Sequence, residues 1–171
     1  DSTPAIVSVW ADPDGLASFA TAVVGLEVDS WLVFDAAAKV TSAELASAAR
    51  IAFGEGCRVG GGTNHYFAEL NREPPDTSAL DVVAFSFNPQ VHASDNETIV
   101  QNLATQGVIA RSARRLAGTT PLHVGPVTLR PRFNPNATAP ELDVSSTPLP
   151  ANVDARQPSD LCAAWTTISI K

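Results

Sequence analysis

The sequence predicts an α/β fold, and within that class a partial (β/α)₈ TIM barrel with about five parallel strands. Three features support this prediction: apolar runs rich in valine, amphipathic segments between them, and a strand repeat of about 25 residues, which indicates right-handed β-α-β crossovers. A doubly wound nucleotide-binding sheet is less favoured. Gly60–Gly62 lacks the third glycine of a dinucleotide fingerprint, and no lysine of a phosphate-binding loop follows it.

Five near-continuous apolar runs predict the strands, because strands that are buried on both faces need apolar residues on both. The predicted strands are Ala5–Trp10, Trp31–Phe34, Cys57–Gly61, Asp81–Ser86 and Leu122–Leu129. A complete barrel has eight strands and about 250 residues. We therefore expect residues 1–171 to be a single barrel segment, incomplete at both ends and part of a longer chain. Its open edges predict self-association.

Helix start signals follow most of these runs. In a capping box, a hydroxyl and a carboxylate three residues later satisfy free amides at the first turn of a helix. Helices are predicted to begin at Asp12–Asp14, at a Thr41–Glu44 capping box, at a Ser94–Glu97 capping box and near Ser159. The third is expected to be one long helix that runs to about Leu116.

The composition excludes several classes of partner. The chain carries 18 acidic and 11 basic residues, a net charge of -7, which disfavours nucleic acids and anionic membranes. No apolar run reaches the roughly 18 residues that a membrane span needs, and no leader peptide is visible, so we expect a cytoplasmic protein. Cys57 and Cys162 lie far apart without metal-spaced histidines, and we expect neither a metal nor another cofactor.

Polar residues follow the third predicted strand, where barrel enzymes place their active sites. The glycines at Gly60–Gly62 are expected to let the backbone approach a ligand. Beyond them, Asn64, Tyr66 and Asn71 are candidate substrate-binding residues, with the aromatic ring suited to stacking on a sugar face. Glu69, a lone carboxylate in an apolar and aromatic setting, is the best candidate for acid/base catalysis. The alternative for Glu69 is a salt bridge to Arg72 or Arg58.

The fourth and fifth predicted strands end in polar residues at alternate positions, which would place each set on one face of an extended strand. The first set is Ser86, Asn88, Gln90 and His92, and the second is Thr128, Arg130, Arg132 and Asn134. His92 is a candidate base or donor, and the arginines are candidates for gripping a carboxylate or polarising a carbonyl. The alternatives are an ordinary exposed strand extension and structural pairing of the arginines with acidic residues.

Four stretches of the chain resemble the D-apionate lactonase family. They are GGGTNHYFAELNREPP (Gly60–Pro75), FSFNPQVHASD (Phe85–Asp95), HVGPVTLRPRFNPNAT (His123–Thr138) and, more weakly, VDARQPSDLCAAWT (Val153–Thr166). The resemblance implies a TIM-barrel domain flanked by other domains, and hydrolysis of an aldonolactone to its acid. The barrel is also similar, more loosely, to the large (β/α)₈ glycoside-hydrolase clan, in which a glutamate after the fourth strand is the acid/base.

The polar strand ends predict a carbohydrate-active hydrolase with a small-molecule carbohydrate substrate, and the resemblance implies, more specifically, a lactonase. Glu69 or His92 would activate water, and Arg132 or Asn88 would stabilise the oxyanion. Two alternatives stay open. One is a glycoside hydrolase with Glu69 as acid/base, and the other is a sugar-binding or structural barrel segment without catalysis.

Overall fold

A computed structural model describes residues 5–35, 37–91, 93–132 and 153–169 of the chain. Its strands form one sheet in the order β1-β2-β3-β4-β5, so that each strand pairs with the next strand along the chain. They are β1 (Ala5–Trp10), β2 (Val28–Phe34), β3 (Val59–Tyr66), β4 (Val82–Phe87) and β5 (Leu122–Val127). Parallel strands in sequence order, with helices between them, are the topology of a (β/α)₈ barrel. The predicted partial barrel is confirmed.

Helices connect the strands as the sequence predicts, with one additional helix after β3. They are α1 (Pro13–Ala22), α2 (Ala43–Phe53), α3 (Phe67–Arg72), α4 (Asn96–Gln101), α5 (Leu103–Ala117) and α6 (Asp160–Ser169), and a 3₁₀ turn covers Thr77–Ala79. Within the described part of the chain, every helix is too short or too polar to cross a bilayer.

Contacts divide the chain into two compact units. The first unit comprises Asp1–Ser86 and Ser112–Gly125, and the second comprises Phe87–Arg111 and Pro126–Lys171. Leu32, Phe34, Val82 and Ala84 form a core cluster of the first unit. The second unit packs around Phe87, Ile99, Leu129, Cys162 and Trp165. The predictions of a single domain and of self-association stay predictions.

Both predicted capping boxes are wrong by one residue. Ser42, and not Thr41, caps α2, because its hydroxyl accepts from the Leu45 amide at 3.1 Å. The Thr41 hydroxyl instead donates to the Val33 carbonyl at 2.7 Å and accepts from the Gly62 amide at 3.0 Å, which links β2 to β3. A buried hydroxyl that bonds two strands is not available to the helix.

The start of α4 is likewise set by Asp95 and not by Ser94. One Asp95 oxygen accepts from the Thr98 amide at 2.9 Å, and the other accepts from the Thr98 hydroxyl at 2.7 Å. The predicted long helix is also divided at Asn102, which separates α4 from α5. The Asn102 side chain donates to the Pro89 carbonyl at 2.7 Å. This hydrogen bond connects the break between α4 and α5 to the chain that follows β4.

The glycines of β3 are required for strand packing. A Cβ atom at Gly60 would lie 2.5 Å from a Leu32 methyl carbon, and one at Gly61 would lie 2.7 Å from the Thr41 side chain. Gly62 has φ +127°, and a Cβ there would press on the Ala84 carbonyl oxygen. The expectation that these glycines admit a ligand is therefore wrong, because protein atoms of β2, β4 and Thr41 occupy the space.

Alanine at Gly62 should destabilise the fold by roughly 2–4 kcal/mol, since it adds both a left-handed backbone penalty and a clash. Gly56→Ala is the matched control, because nothing lies within 4 Å of the added carbon and its φ is not positive. Urea unfolding of both variants gives the comparison. Equal stability of the two variants would contradict this packing explanation.

Candidate functional site

The C-terminal end of β3 contains a bulge. Gly62 pairs with Ala84 and Tyr66 pairs with Ser86, so four steps along β3 correspond to two along β4. The Ser86 hydroxyl lies 2.6 Å from the His65 carbonyl oxygen and thereby satisfies a carbonyl that the bulge removes from the ladder. Bulges often adjoin active sites, where they change the direction of side chains.

The strand β3 continues to Tyr66, whereas the sequence predicts an end at Gly61. The Thr63 hydroxyl donates to the Lys39 carbonyl at 2.6 Å and accepts from the His65 amide at 3.0 Å. Asn64 and Tyr66 are half-buried at this strand end. Their predicted contact with substrate therefore stays open, while Ser86 has a structural task.

Glu69 is 4% exposed and lies on α3, which begins directly after the bulge. Its Oε2 accepts from the Tyr66 amide at 3.3 Å, and its Oε1 accepts from the Arg72 guanidinium at 3.3 Å. The alternative of a salt bridge to Arg72 is confirmed, whereas Arg58 pairs with Asp29 at 3.1 Å. Glu69 thus closes the first turn of α3, and its catalytic role stays a prediction. Asn71 is exposed on the same helix.

Asn88, in the second unit, has a buried donor without a partner. The residue follows the end of β4 and is 3% exposed. Its Oδ1 accepts from the Gln90 amide at 2.9 Å, which fixes the orientation of the side chain. Its Nδ2 is buried, and no residue of the described part accepts a hydrogen bond from it. An unmet buried donor costs about 1–3 kcal/mol, so native proteins rarely leave such an atom without a partner.

The predicted alternation beyond β4 and β5 is wrong, because both strands end earlier. After Phe87 the Asn88 side chain accepts from the Gln90 amide, and after Val127 the Thr128 hydroxyl donates to the Arg130 carbonyl at 2.8 Å. These polar side chains therefore do not share one strand face. His92 and Asn134, the last members of the two sets, lie outside the described residues.

Gln90 is part of a half-buried polar network, and its contact with substrate stays a prediction. Its Nε2 donates to the Leu129 carbonyl and to Asp154 Oδ2, both at 2.7 Å. Asp154 is also bound by Arg156, with Nε 2.8 Å from Oδ1 and Nη2 2.8 Å from Oδ2. Arg156 Nη1 donates in addition to the Ser94 carbonyl at 2.6 Å. The network joins the chain after β4, the chain after β5 and the approach to α6.

Asp154 and Arg156 are the residues that the sequence did not reveal. The hydrogen bonds from Arg156 hold the pKa of Asp154 well below its usual range, against the opposing effect of burial. The same pairing raises the pKa of Arg156. Both residues lie in the stretch Val153–Thr166, which resembles the family only weakly. Nothing in the neighbouring sequence indicates that Asp154 binds Gln90, which is 64 positions away.

Arg130 and Arg132 line one cavity of about 340 Å³, together with Asp154 and residues of α6. Arg130 is exposed and Arg132 is half-buried. The structure thus brings the two predicted arginines to one space, although not through a shared strand face. Within the described ranges, no three His, Cys, Asp or Glu side chains are placed to hold a metal ion.

The family model described as "D-apionate lactonase, TIM barrel domain" matches residues 18–171. The chain belongs to this family. It is also 42% identical over 89 residues to the D-apionate lactonase of Brucella anthropi, a match that covers 52% of this chain. The matched part is 14% of that relative's length. No solved structure matches the chain.

Asp154→Asn should destabilise this family member by roughly 2–4 kcal/mol at pH 7, because it leaves Arg156 without its buried counter-charge. The folded pKa of Asp154 is lowered, so the carboxylate stabilises the fold above the ordinary value of about 3.9. That contribution is lost as the pH falls towards the folded pKa. The difference in the free energy of unfolding between the variant and wild type should therefore be largest at pH 7 and shrink below about pH 4.

Urea unfolding at several pH values provides the measurement. Asp160→Asn is the control, since it removes the same charge from an exposed position at the start of α6. A variant of Asp154 as stable as the control at pH 7 would show that the network does not hold the second unit together.

Proposed function

We propose that the protein hydrolyses a sugar lactone, an aldonolactone such as D-apionolactone, to the corresponding acid. Membership of the D-apionate lactonase family supports the reaction class, and the relative in Brucella anthropi carries that name. The single structural observation that carries the proposal is the buried, unmet Nδ2 donor of Asn88 within the described residues.

The reaction needs such a donor. Water adds to the lactone carbonyl carbon, negative charge develops on the carbonyl oxygen, and the ring C–O bond then breaks to give a hydroxyl and a carboxylate. Asn88 is held by the Gln90 amide at 2.9 Å before any substrate binds, so it would stabilise that oxygen without reorganising. A preorganised donor of this kind contributes roughly 10²–10³ in kcat. Arg132 is the second candidate for the same task.

Activation of the water is assigned to Glu69 or His92. Glu69 is 4% exposed, and each of its two oxygens accepts one hydrogen bond. A carboxylate offers about four acceptor positions, so capacity for a water proton remains. The other buried carboxylate among the described residues, Asp154, is bound by Arg156 and Gln90. This favours Glu69 over Asp154 as a base.

The test is a pH-indicator assay of the intact protein with aldonolactones, which release acid on opening. Aryl glycosides are the parallel substrates, because a glycoside hydrolase would release their chromophore. Lactone opening without glycoside cleavage supports the proposal. Turnover of aryl glycosides without lactone opening would contradict the lactonase proposal and favour a glycoside hydrolase. Sugar binding without turnover would favour a sugar-binding segment without catalysis.

Asn88→Asp should lower kcat for the lactone by about 10²-fold or more, because it replaces the oxyanion donor with a negative acceptor. It keeps the oxygen that accepts from Gln90. Asn96→Asp is the matched control: it makes the same chemical change at an exposed position, where Arg156 faces the retained oxygen at 3.0 Å. Thermal melting accompanies the kinetics, with Asn88→Ala as a second variant that introduces no charge. Wild-type kcat in both Asn88 variants would remove Asn88 from the mechanism.

Glu69→Gln should lower kcat by about 10²–10⁴ if Glu69 is the base, while it retains an oxygen for the Tyr66 amide. Arg72→Gln is the control, since it breaks the same ion pair from its exposed side, where such pairs contribute about 0–1 kcal/mol. A purely structural Glu69 would give near wild-type turnover in the first variant. That result would leave His92 as the candidate base.

A further inference from the structure

We propose that Asn102 is a positioning residue, which holds the Asn88 side-chain amide in place as a hydrogen-bond donor to the lactone. The link runs through the peptide unit between Pro89 and Gln90. Asn102 Nδ2 donates to the Pro89 carbonyl at 2.7 Å, and the Gln90 amide donates to Asn88 Oδ1 at 2.9 Å. All four residues belong to the second unit. The inference rests on the proposed function, because Asn88 is the donor assigned there.

The Pro89 carbonyl and the Gln90 amide are the two ends of one peptide unit. A peptide unit is planar, so its carbonyl and its N–H point in opposite directions and rotate together. The hydrogen bond from Asn102 therefore fixes the direction of the N–H that orients Asn88. Without that bond the unit can rotate, and the Asn88 side chain can rotate with it.

The rest of the Asn88–Gln90 segment has little backbone freedom. The pyrrolidine ring fixes φ of Pro89, and a residue that precedes a proline is restricted to extended conformations. The Thr128 amide donates to the Phe87 carbonyl at 3.0 Å, directly before the segment. The remaining rotation, about ψ of Pro89, is the one that the Asn102 hydrogen bond restrains.

The break between α4 and α5 does not need the Asn102 side chain. The backbone N–H of Asn102 donates to the Thr98 carbonyl at 3.0 Å, and its carbonyl accepts from the Thr105 amide at 3.1 Å. Asparagine side chains commonly bond to backbone groups close by in the sequence, whereas this one reaches a carbonyl 13 positions away. Pro89 is fully buried, and a buried carbonyl needs a partner. The side chain thus serves the segment that contains Asn88.

The same arrangement strengthens the donor. The Asn102 side chain, the peptide unit and the Asn88 side chain are three amides joined head to tail by hydrogen bonds. Hydrogen bonds in such a chain polarise one another by about 10–30% per bond. Asn88 is 3% exposed, and no acceptor within the described residues bonds its Nδ2. The polarised N–H at the end of the chain is therefore left for a ligand oxygen.

The test is a double-mutant cycle of lactone turnover in the intact protein, made from Asn102→Ala, Asn88→Ala and the variant with both changes. Asn102→Ala should lower kcat about 10-fold and leave KM within about twofold, because it misplaces a donor that acts in the transition state. In the Asn88→Ala background the same change should alter kcat by less than about twofold, since its effect passes through Asn88.

Gln101→Ala is the matched control, because it removes an amide donor from the neighbouring exposed position, where the acceptor is Glu97. Asn102→Asp is a second variant, which keeps the shape of the side chain but removes the donor group. It should show the same loss of kcat. Thermal melting verifies that each variant is folded.

NMR of the Asn88 side-chain amide, in protein made with isotopically labelled asparagine, gives a readout that does not depend on turnover. Asn102→Ala should shift these resonances and lower their heteronuclear NOE, whereas Gln101→Ala should not. Unchanged resonances, or an equal effect of Asn102→Ala on kcat in both backgrounds, would overturn the proposal and leave lactone hydrolysis standing. Wild-type kcat in Asn88→Ala, with the resonances shifted by Asn102→Ala, would instead refute the donor role while Asn102 still holds the amide.

Discussion

Asp154 joins three segments of the second unit through its hydrogen bonds. Its two oxygens receive hydrogen bonds from Arg156 and from Gln90, and Gln90 also binds the Leu129 carbonyl. Three segments that are distant in sequence are therefore fixed by one buried charge and its partners. Removing Asp154 is costly because it leaves the half-buried Arg156 without its counter-charge.

One candidate binding residue, Asn88, lies next to this network. The backbone amide of Gln90 holds the side chain of Asn88, whose other end is the unmet donor. The same Asp154 forms part of the lining around Arg130 and Arg132. A rigid polar support of this kind keeps donors in place before the substrate binds, which is what oxyanion stabilisation requires.

The first unit is held together by different contacts. Tight contacts at Gly60–Gly62 bring β3 against its neighbours, and the bulge that follows is held by hydroxyl groups of Thr63 and Ser86. Glu69 then closes α3 immediately after the bulge. In this unit, several residues that look functional in the sequence have structural partners, and only mutation separates the two roles at Glu69.

The order of strands and helices could be predicted because it depends on local apolar patterns. The site could be predicted only in part. The polar alternation that points to Asn88 fails after Phe87, yet the residue itself holds the unmet donor. The sequence predicts Thr41 as a helix cap, because it does not show that the Thr41 hydroxyl is bonded to Val33 and Gly62. Asp154 could not be found locally, since its partner Gln90 is 64 positions away.

The central claim is that Asn88 donates to the oxygen on which charge develops. A crystal structure of the intact protein with a lactam analogue of the substrate, which resists hydrolysis, tests it most directly. We predict that Asn88 Nδ2 lies about 3 Å from the lactam carbonyl oxygen. A bound lactam whose carbonyl contacts other donors, with the Asn88 amide away from it, would contradict the account.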